Sequence, residues 1–124
     1  MFNEHKSAGK HMICDFKEIK NSDLLNNCEE LNLLFKKICS NYDFQILNEN
    51  IHKFEPIGCS ILYLLSESHL SIHTFPEKNH ISFDIYTCRQ YIDNKVYEEI
   101  YKLLIHKLGA SDNKSFCQII DRFF

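Results

Sequence analysis

Apolar and polar positions change their spacing several times along the chain, and each change marks an element. Met1 to Lys10 is polar and reads as loose, while His11–Phe16 is short and mostly apolar and reads as a first strand. Asn21 to Asn27 is a polar cluster. Asn27 with Glu30 has the form of a capping box, with Asn where Ser or Thr is usual. Cys28, Leu31, Leu34, Phe35 and Ile38 then recur at helical spacing, which predicts a helix running to about Asn41. Phe44 to Leu47 suits a strand, polar residues follow, and Pro56–Gly58 breaks the pattern. Cys59–Leu65 is an unbroken apolar run of strand length, which predicts a central strand buried on both faces.

His69–Thr74 alternates cleanly, with His69, Ser71 and His73 on one side and Leu70, Ile72 and Thr74 on the other. Pro76-Glu77-Lys78-Asn79 reads as a turn. Ile81, Phe83 and Ile85 then alternate with Ser82, Asp84 and Tyr86, completing a hairpin. Asp93 or Asn94 caps a second helix, in which Val96, Ile100, Leu103, Leu104 and Leu108 form the apolar stripe and Gly109 is the stop. Phe116–Phe124 reads as a last strand. The order, β-α-β-β followed by β-β-α-β, predicts an α+β two-layer sandwich: one largely antiparallel sheet with two helices on one face. The other face needs a cover. Cys59, Ile61, Tyr63 and Leu65 point one way and Leu62 and Leu64 the other, and a large exposed apolar face is rare in a monomer. A second copy of the chain, giving a homodimer, is the expected cover.

Composition narrows the function classes. A length of 124 residues fits one domain, and 44% apolar with 25% charged residues is ordinary for a globular protein. No apolar run approaches the roughly 18–20 residues of a membrane-spanning helix, so no membrane role is expected. A net charge of −3 supplies no basic footprint for nucleic acid. Met1 to Lys10 lacks the apolar stretch of a secretory signal. Cys14, Cys28, Cys39, Cys59, Cys88 and Cys117 form neither C-x-x-C pairs nor zinc-ribbon spacings. Unpaired thiols suit a reducing, cytoplasmic compartment, where most are expected to be buried as small apolar residues.

The densest polar constellation is Ser66, Glu67, Ser68, His69, Ser71, His73 and Thr74, followed by Glu77 and His80. Three readings stand side by side. The first is a solvated hairpin edge. The second is a metal site built on His69 and His73, but on a strand these two lie about 13 Å apart, too far to share an ion, so no metal is expected. The third is a nucleophile with a base: Ser68 and His73 meet if the chain bends at Ser68. The G-x-S-x-G elbow is absent and no Asp stands in an obvious orienting place.

The stretch Ser66-Glu67-Ser68-His69-Leu70-Ser71-Ile72-His73-Thr74-Phe75-Pro76-Glu77, followed by Phe83-Asp84-Ile85-Tyr86-Thr87-Cys88, closely resembles the short prokaryotic S-adenosylmethionine decarboxylase proenzymes. Gly9-Lys10-His11 and Phe54-Glu55-Pro56-Ile57-Gly58-Cys59-Ser60 fit in order, so the resemblance spans roughly residues 9–108. It implies self-cleavage between Glu67 and Ser68, giving a β chain, 1–67, and an α chain, 68–124, headed by a pyruvoyl group made from Ser68. That group binds the substrate amine as a Schiff base and acts as an electron sink, as pyridoxal phosphate does.

By the same resemblance His73 matches the processing base and Ser60 a serine that supports processing. Cys88 matches the proton donor of turnover. An imidazole suits proton removal at neutral pH, and a mostly protonated thiol suits proton donation. Phe54 matches a ring that stacks on adenine, and Glu77 a carboxylate that binds ribose hydroxyls. The implied activity is decarboxylation of S-adenosylmethionine, supplying the aminopropyl donor for spermidine, in a homodimer whose sites draw on both copies. The chain departs from the family pattern at Ile61-Leu62-Tyr63, at Phe75 where Trp is frequent, and at Arg89 where Gly is common. The same cofactor acting on arginine or ornithine is one alternative. A catalytically silent homologue serving as a regulatory or binding subunit is another.

Overall fold

The computed structural model describes residues 6–124, so the expectations for Met1 to His5 lie outside the described residues. Strands β1 (Ser7–Phe16), β2 (Ile46–Lys53), β3 (Cys59–Leu65), β4 (Ser68–Phe75), β5 (His80–Thr87) and β6 (Phe116–Phe123) form one sheet in the order β2-β3-β4-β5-β1-β6. Every neighbouring pair is antiparallel. Helices α1 (Ser22–Leu25), α2 (Cys28–Asn41) and α3 (Lys95–Leu108), with a 3-10 turn at Pro76–Lys78, complete the described elements. No described helix is long and apolar enough to cross a membrane.

The apolar stripes of the two long helices decide which face of the sheet is dry. Leu31, Phe35, Ile38 and Cys39 of α2 and Tyr97, Ile100, Leu104 and Leu108 of α3 are buried. They share one core with Met12, Cys14, Phe16, Ile61, Tyr63, Leu70, Ile72, Ile81, Phe83 and Ile85. Phe35 stacks on Phe83 at 5.5 Å, which ties α2 to the middle of the sheet. Burying each such Leu, Ile or Phe contributes roughly 1.5–3 kcal/mol, so this layer holds the sandwich together. Asn27 caps α2 by accepting from the Glu30 N–H, and Gly109 ends α3 in the left-handed conformation.

The α+β sandwich matches the expectation, with four differences. β1 begins at Ser7 and so takes in residues expected to be loose. The polar cluster Asn21 to Asn27 holds the one-turn α1, capped by the Asn21 side chain. β2 is Ile46–Lys53 rather than Phe44–Leu47; it is an edge strand exposed on both faces, so no alternation marks it. β3 is neither central nor buried on both faces: it lies next to the β2 edge, and Leu62 and Leu64 are 46% and 55% exposed on the face the helices leave open.

Candidate active site

β3 and β4 pair with Leu65 opposite Ser68, which leaves Ser66 and Glu67 as a two-residue loop. Such loops fit the twist of a hairpin best when loop residues take positive φ, which is why Asn-Gly and Gly are common there. Ser and Glu resist that conformation. The positive φ falls instead on the next residue, Ser68, at 154°. That region is essentially reserved for glycine, and a side chain there costs on the order of 1–3 kcal/mol. The strain therefore sits on the residue that contributes the nitrogen of the Glu67–Ser68 peptide bond.

Backbone contacts hold this tip. The Cys88 N–H donates to the Glu67 carbonyl at 3.0 Å, and the Ser66 N–H donates to the Gln45 carbonyl at 2.9 Å. Arg89 grips the Glu67 carboxylate with Nε and Nη2, at 2.5 and 2.7 Å. Gly9 lets β1 approach: a Cβ there would lie 1.9 Å from the Thr87 carbonyl oxygen and 2.6 Å from the Cys88 Cα. Among the cysteines, Cys88 is the exposed one. Burial and then a hydrogen bond with Cys59 push the Cys28 thiol up to about 12, and burial pushes Cys39 up to about 11. These thiols stay protonated and inert, whereas Cys88 stands beside the hairpin tip.

The other matched residues gather elsewhere. Ser60 Oγ and His73 Nδ1 share a hydrogen bond of 2.7 Å on the open face. Both line a pocket of about 320 Å³ with Phe54, Phe75 and Glu77. Ser68 and His73 lie on the same strand but five positions apart, about 16 Å at the usual rise, and on opposite faces. The chain does not bend to bring them together. Within one chain the structure thus forms two half-sites: Glu67, Ser68 and Cys88 at one end of β4, and Phe54, Ser60, His73 and Glu77 at the other.

Between them runs a network that sequence reasoning missed. His11 Nε2 and His69 Nε2 both meet Asp84 Oδ2, at 2.6 and 3.0 Å, and Ser71 Oγ donates to Asp84 Oδ1. Burial raises the Asp84 pKa, but hydrogen bonds from Ser71, His11 and His69 outweigh it and leave the carboxyl below its usual range. These groups are near enough to share a cation, with ligand atoms within 4.8 Å. Arg122 Nη1, however, lies 3.3 Å from His11 Nδ1 and can only donate. His11 Nδ1 is then the acceptor and Nε2 carries the proton given to Asp84, so the group is a hydrogen-bonded relay. His69 finds its partners on neighbouring strands, not in His73. Arg89 was legible only as a departure, since nothing near it in sequence shows that Glu67 is its partner.

Fold and site define a class: a two-layer α+β protein with a strained serine at a hairpin tip, following a carbonyl already held by a backbone N–H. That arrangement suits acyl transfer within the chain itself. Comparison with known proteins gives the family. The S-adenosylmethionine decarboxylase family matches residues 10–117. An S-adenosylmethionine decarboxylase proenzyme of Thermosipho melanesiensis is 34% identical over 100 residues, 80% of this chain and 76% of the relative. One from Clostridium botulinum is 37% identical over 103 residues, 82% of this chain and 88% of the relative. The crystal structure of the adenosylmethionine decarboxylase from Aquifex aeolicus superposes with a TM-score of 0.81 at 25% identity, covering 96% of this chain and 93% of that one. The chain belongs to the S-adenosylmethionine decarboxylase family.

Proposed function

We propose that this chain cuts itself between Glu67 and Ser68, converts Ser68 into a pyruvoyl group, and decarboxylates S-adenosylmethionine. The observation that carries the reading is the geometry of that bond: a serine at φ 154° directly after a carbonyl that accepts from the Cys88 N–H at 3.0 Å. Ser68 Oγ adds to the Glu67 carbonyl carbon, and the negative charge grows on the oxygen at which the Cys88 N–H already points. The C–N bond breaks and an ester to Oγ forms. An amide is more stable than an ester, and release of the backbone strain at Ser68 offsets part of that difference. A base then removes the Ser68 α-proton, and the Cβ–Oγ bond breaks with Glu67 leaving as a carboxylate. The dehydroalanine at 68 takes up water and releases ammonia. The products are residues 1–67 and 68–124.

The residues present fit that group. Ser68 begins β4 at the tip, and its hydroxyl makes no hydrogen bond among the described residues. Bound there, the pyruvoyl group supplies an electron sink for loss of the substrate carboxylate. Cys88, exposed and joined through its backbone N–H to Glu67, delivers from its thiol the proton that replaces the carboxylate. Phe54 and Glu77, walling one pocket, receive the adenine ring and the ribose hydroxyls. Free thiols suit a cytoplasmic setting.

His73 acts as the processing base, with Ser60 orienting its ring, in a homodimer. A two-fold axis lying across the strands between two open faces brings one end of β4 over the other end of its partner. The partner's His73 then lies over the hairpin tip that Ser68 begins, and serves Ser68 round the end of the strand. Leu62 and Leu64 give that face an apolar margin.

The test is intact mass. The wild-type chain should split into two fragments, the second blocked by pyruvoyl, and Ser68→Ala should stay whole. Carbon dioxide release should be highest from S-adenosylmethionine when compared with arginine and ornithine. Mixing Ser68→Ala with His73→Ala chains during synthesis should let about half of the His73→Ala chains cut, namely those paired with a partner that keeps His73. No cutting in the mixture refutes the shared site. Cutting of Ser68→Ala at this bond refutes the origin of the cofactor.

A further inference from the structure

We infer that Arg89 is the positioning residue of self-cleavage: it fixes the Glu67 carboxylate, holds the Glu67 carbonyl against the Cys88 N–H before the cut, and binds the new chain end afterwards. The inference rests on the self-processing reading and adds to it a carboxylate-binding site at the hairpin tip.

An arginine side chain has five N–H donors in a rigid fork, and here every nitrogen is engaged. Nε and Nη2 take the two oxygens of Glu67. Nη1 donates to the Tyr42 carbonyl at 2.5 Å and to the Tyr91 hydroxyl at 3.0 Å. Nη2 also donates to the Asp43 carbonyl. The guanidinium lies 4.5 Å over the Phe44 ring, itself buried in the core. The fork is thus bolted to the turn between α2 and β2, and Glu67 is bolted to the fork. A lysine cannot reproduce this planar two-point grip.

The grip matters because the loop has no glycine. A free Ser66-Glu67 tip relaxes by twisting until Ser68 regains an ordinary φ, and that twist carries the Glu67 carbonyl away from Cys88. With the Glu67 side chain held by Arg89 and its carbonyl held by Cys88, the twist is blocked and the strain stays on Ser68. After cleavage Glu67 is a terminus with two carboxylates. Arg89 and the Cys88 N–H keep both at the tip and out of the space over residue 68, where a substrate carboxylate must leave. Arg89 acts through Glu67 and touches no reacting atom.

The test follows cutting of freshly made chain by cell-free synthesis and electrophoresis over time, for wild type, Arg89→Gln, Arg89→Lys, Arg89→Ala, Glu67→Gln and the double variant of Arg89→Gln with Glu67→Gln. Arg89→Gln and Glu67→Gln should each slow cutting by about tenfold or more, a barrier change of at least about 1.4 kcal/mol. The double variant should be no slower than the slower single, because the two residues act as one pair. Arg89→Lys should recover only part of the rate. Millimolar guanidinium should restore cutting to Arg89→Ala, a response that a purely structural role does not produce. Melting each substitution in the uncut Ser68→Ala background separates misfolding from mispositioning. Cutting by Arg89→Gln within about twofold of wild type, or Arg89→Ala deaf to guanidinium, overturns the assignment. A wild-type chain that stays whole overturns self-processing itself, and that result is read without any Arg89 variant.

Discussion

On the proposed self-processing, replacing Ser68 by alanine or by glycine removes the same nucleophile and both chains should stay whole, yet the two differ in strain. Alanine keeps the Cβ at φ 154°, and glycine does not. A side chain in that region costs about 1–3 kcal/mol. Glycine's larger loss of chain freedom on folding returns about 0.5–1 kcal/mol of that. Neither variant gives up a hydrogen bond of the Ser68 hydroxyl, since none is made among the described residues. The difference centres near 1 kcal/mol in favour of glycine, against the usual order of the two residues in a strand. In a domain of this size that is about 4 °C in Tm. Differential scanning calorimetry and urea unfolding of the two uncut proteins, side by side, measure it. Ser68→Gly melting at or below Ser68→Ala would show that the backbone at 68 stores no strain, and the acyl shift would then need another driving force.

Gly9→Ala drives a Cβ into the Thr87 and Cys88 backbone at positive φ, so it should cost about 2 kcal/mol or more in thermal unfolding and also slow cutting, because the Cys88 N–H moves; unchanged melting and cutting refute this. Cys88→Ala keeps the backbone donor and should still cut at least in part, while decarboxylation falls or the pyruvoyl is consumed as an alanine-like residue; normal turnover makes another group the proton donor. Asp84 has a folded pKa below its unfolded value, so the stability it contributes is complete above the unfolded value of about 3.9 and fades as pH falls through the folded one. Asp84→Asn should therefore melt below wild type at pH 7 and converge with it in a Tm series carried below the unfolded-state value, as the carboxylate protonates; a gap that persists in acid assigns the loss to shape instead of charge.

Where the helices cover the sheet, the pattern of residues was readable. Leu70, Ile72, Ile81, Phe83 and Ile85 alternate because α2 and α3 dry one face and leave the other wet, and β4 and β5 followed from that alone. β2 was shortened and shifted because an edge strand wet on both faces carries no such signal. Leu62 and Leu64 misled for the opposite reason, since they are apolar on a face this chain leaves open. Ser68, Glu67 and Cys88 were legible from their motif, but the two contacts that define their geometry were not. The Cys88 N–H to Glu67 carbonyl bond and the Arg89 grip join residues about 20 positions apart, through a register set by three strands. His69 invited pairing with His73 by nearness in sequence, whereas a strand sends its side chains sideways to His11 and Asp84.

Under the proposed self-processing, Ser68 must stay quiet until the fold is complete, and the arrangement at residue 68 provides this without a separate switch. β3 and β4 close the loop that forces φ at Ser68. β5 ends where Cys88 can present its N–H to Glu67. β1 fits behind Cys88 because residue 9 lacks a Cβ. The turn from Tyr42 to Phe44, placed by α2, supplies the seat for Arg89. Each removal weakens the strain at Ser68 or the donor at the Glu67 oxygen, and so makes the uphill acyl shift harder. In the unfolded chain all are missing at once. On that proposal the bond becomes labile only when strands distant in sequence have taken their register, so folding itself arms the cut.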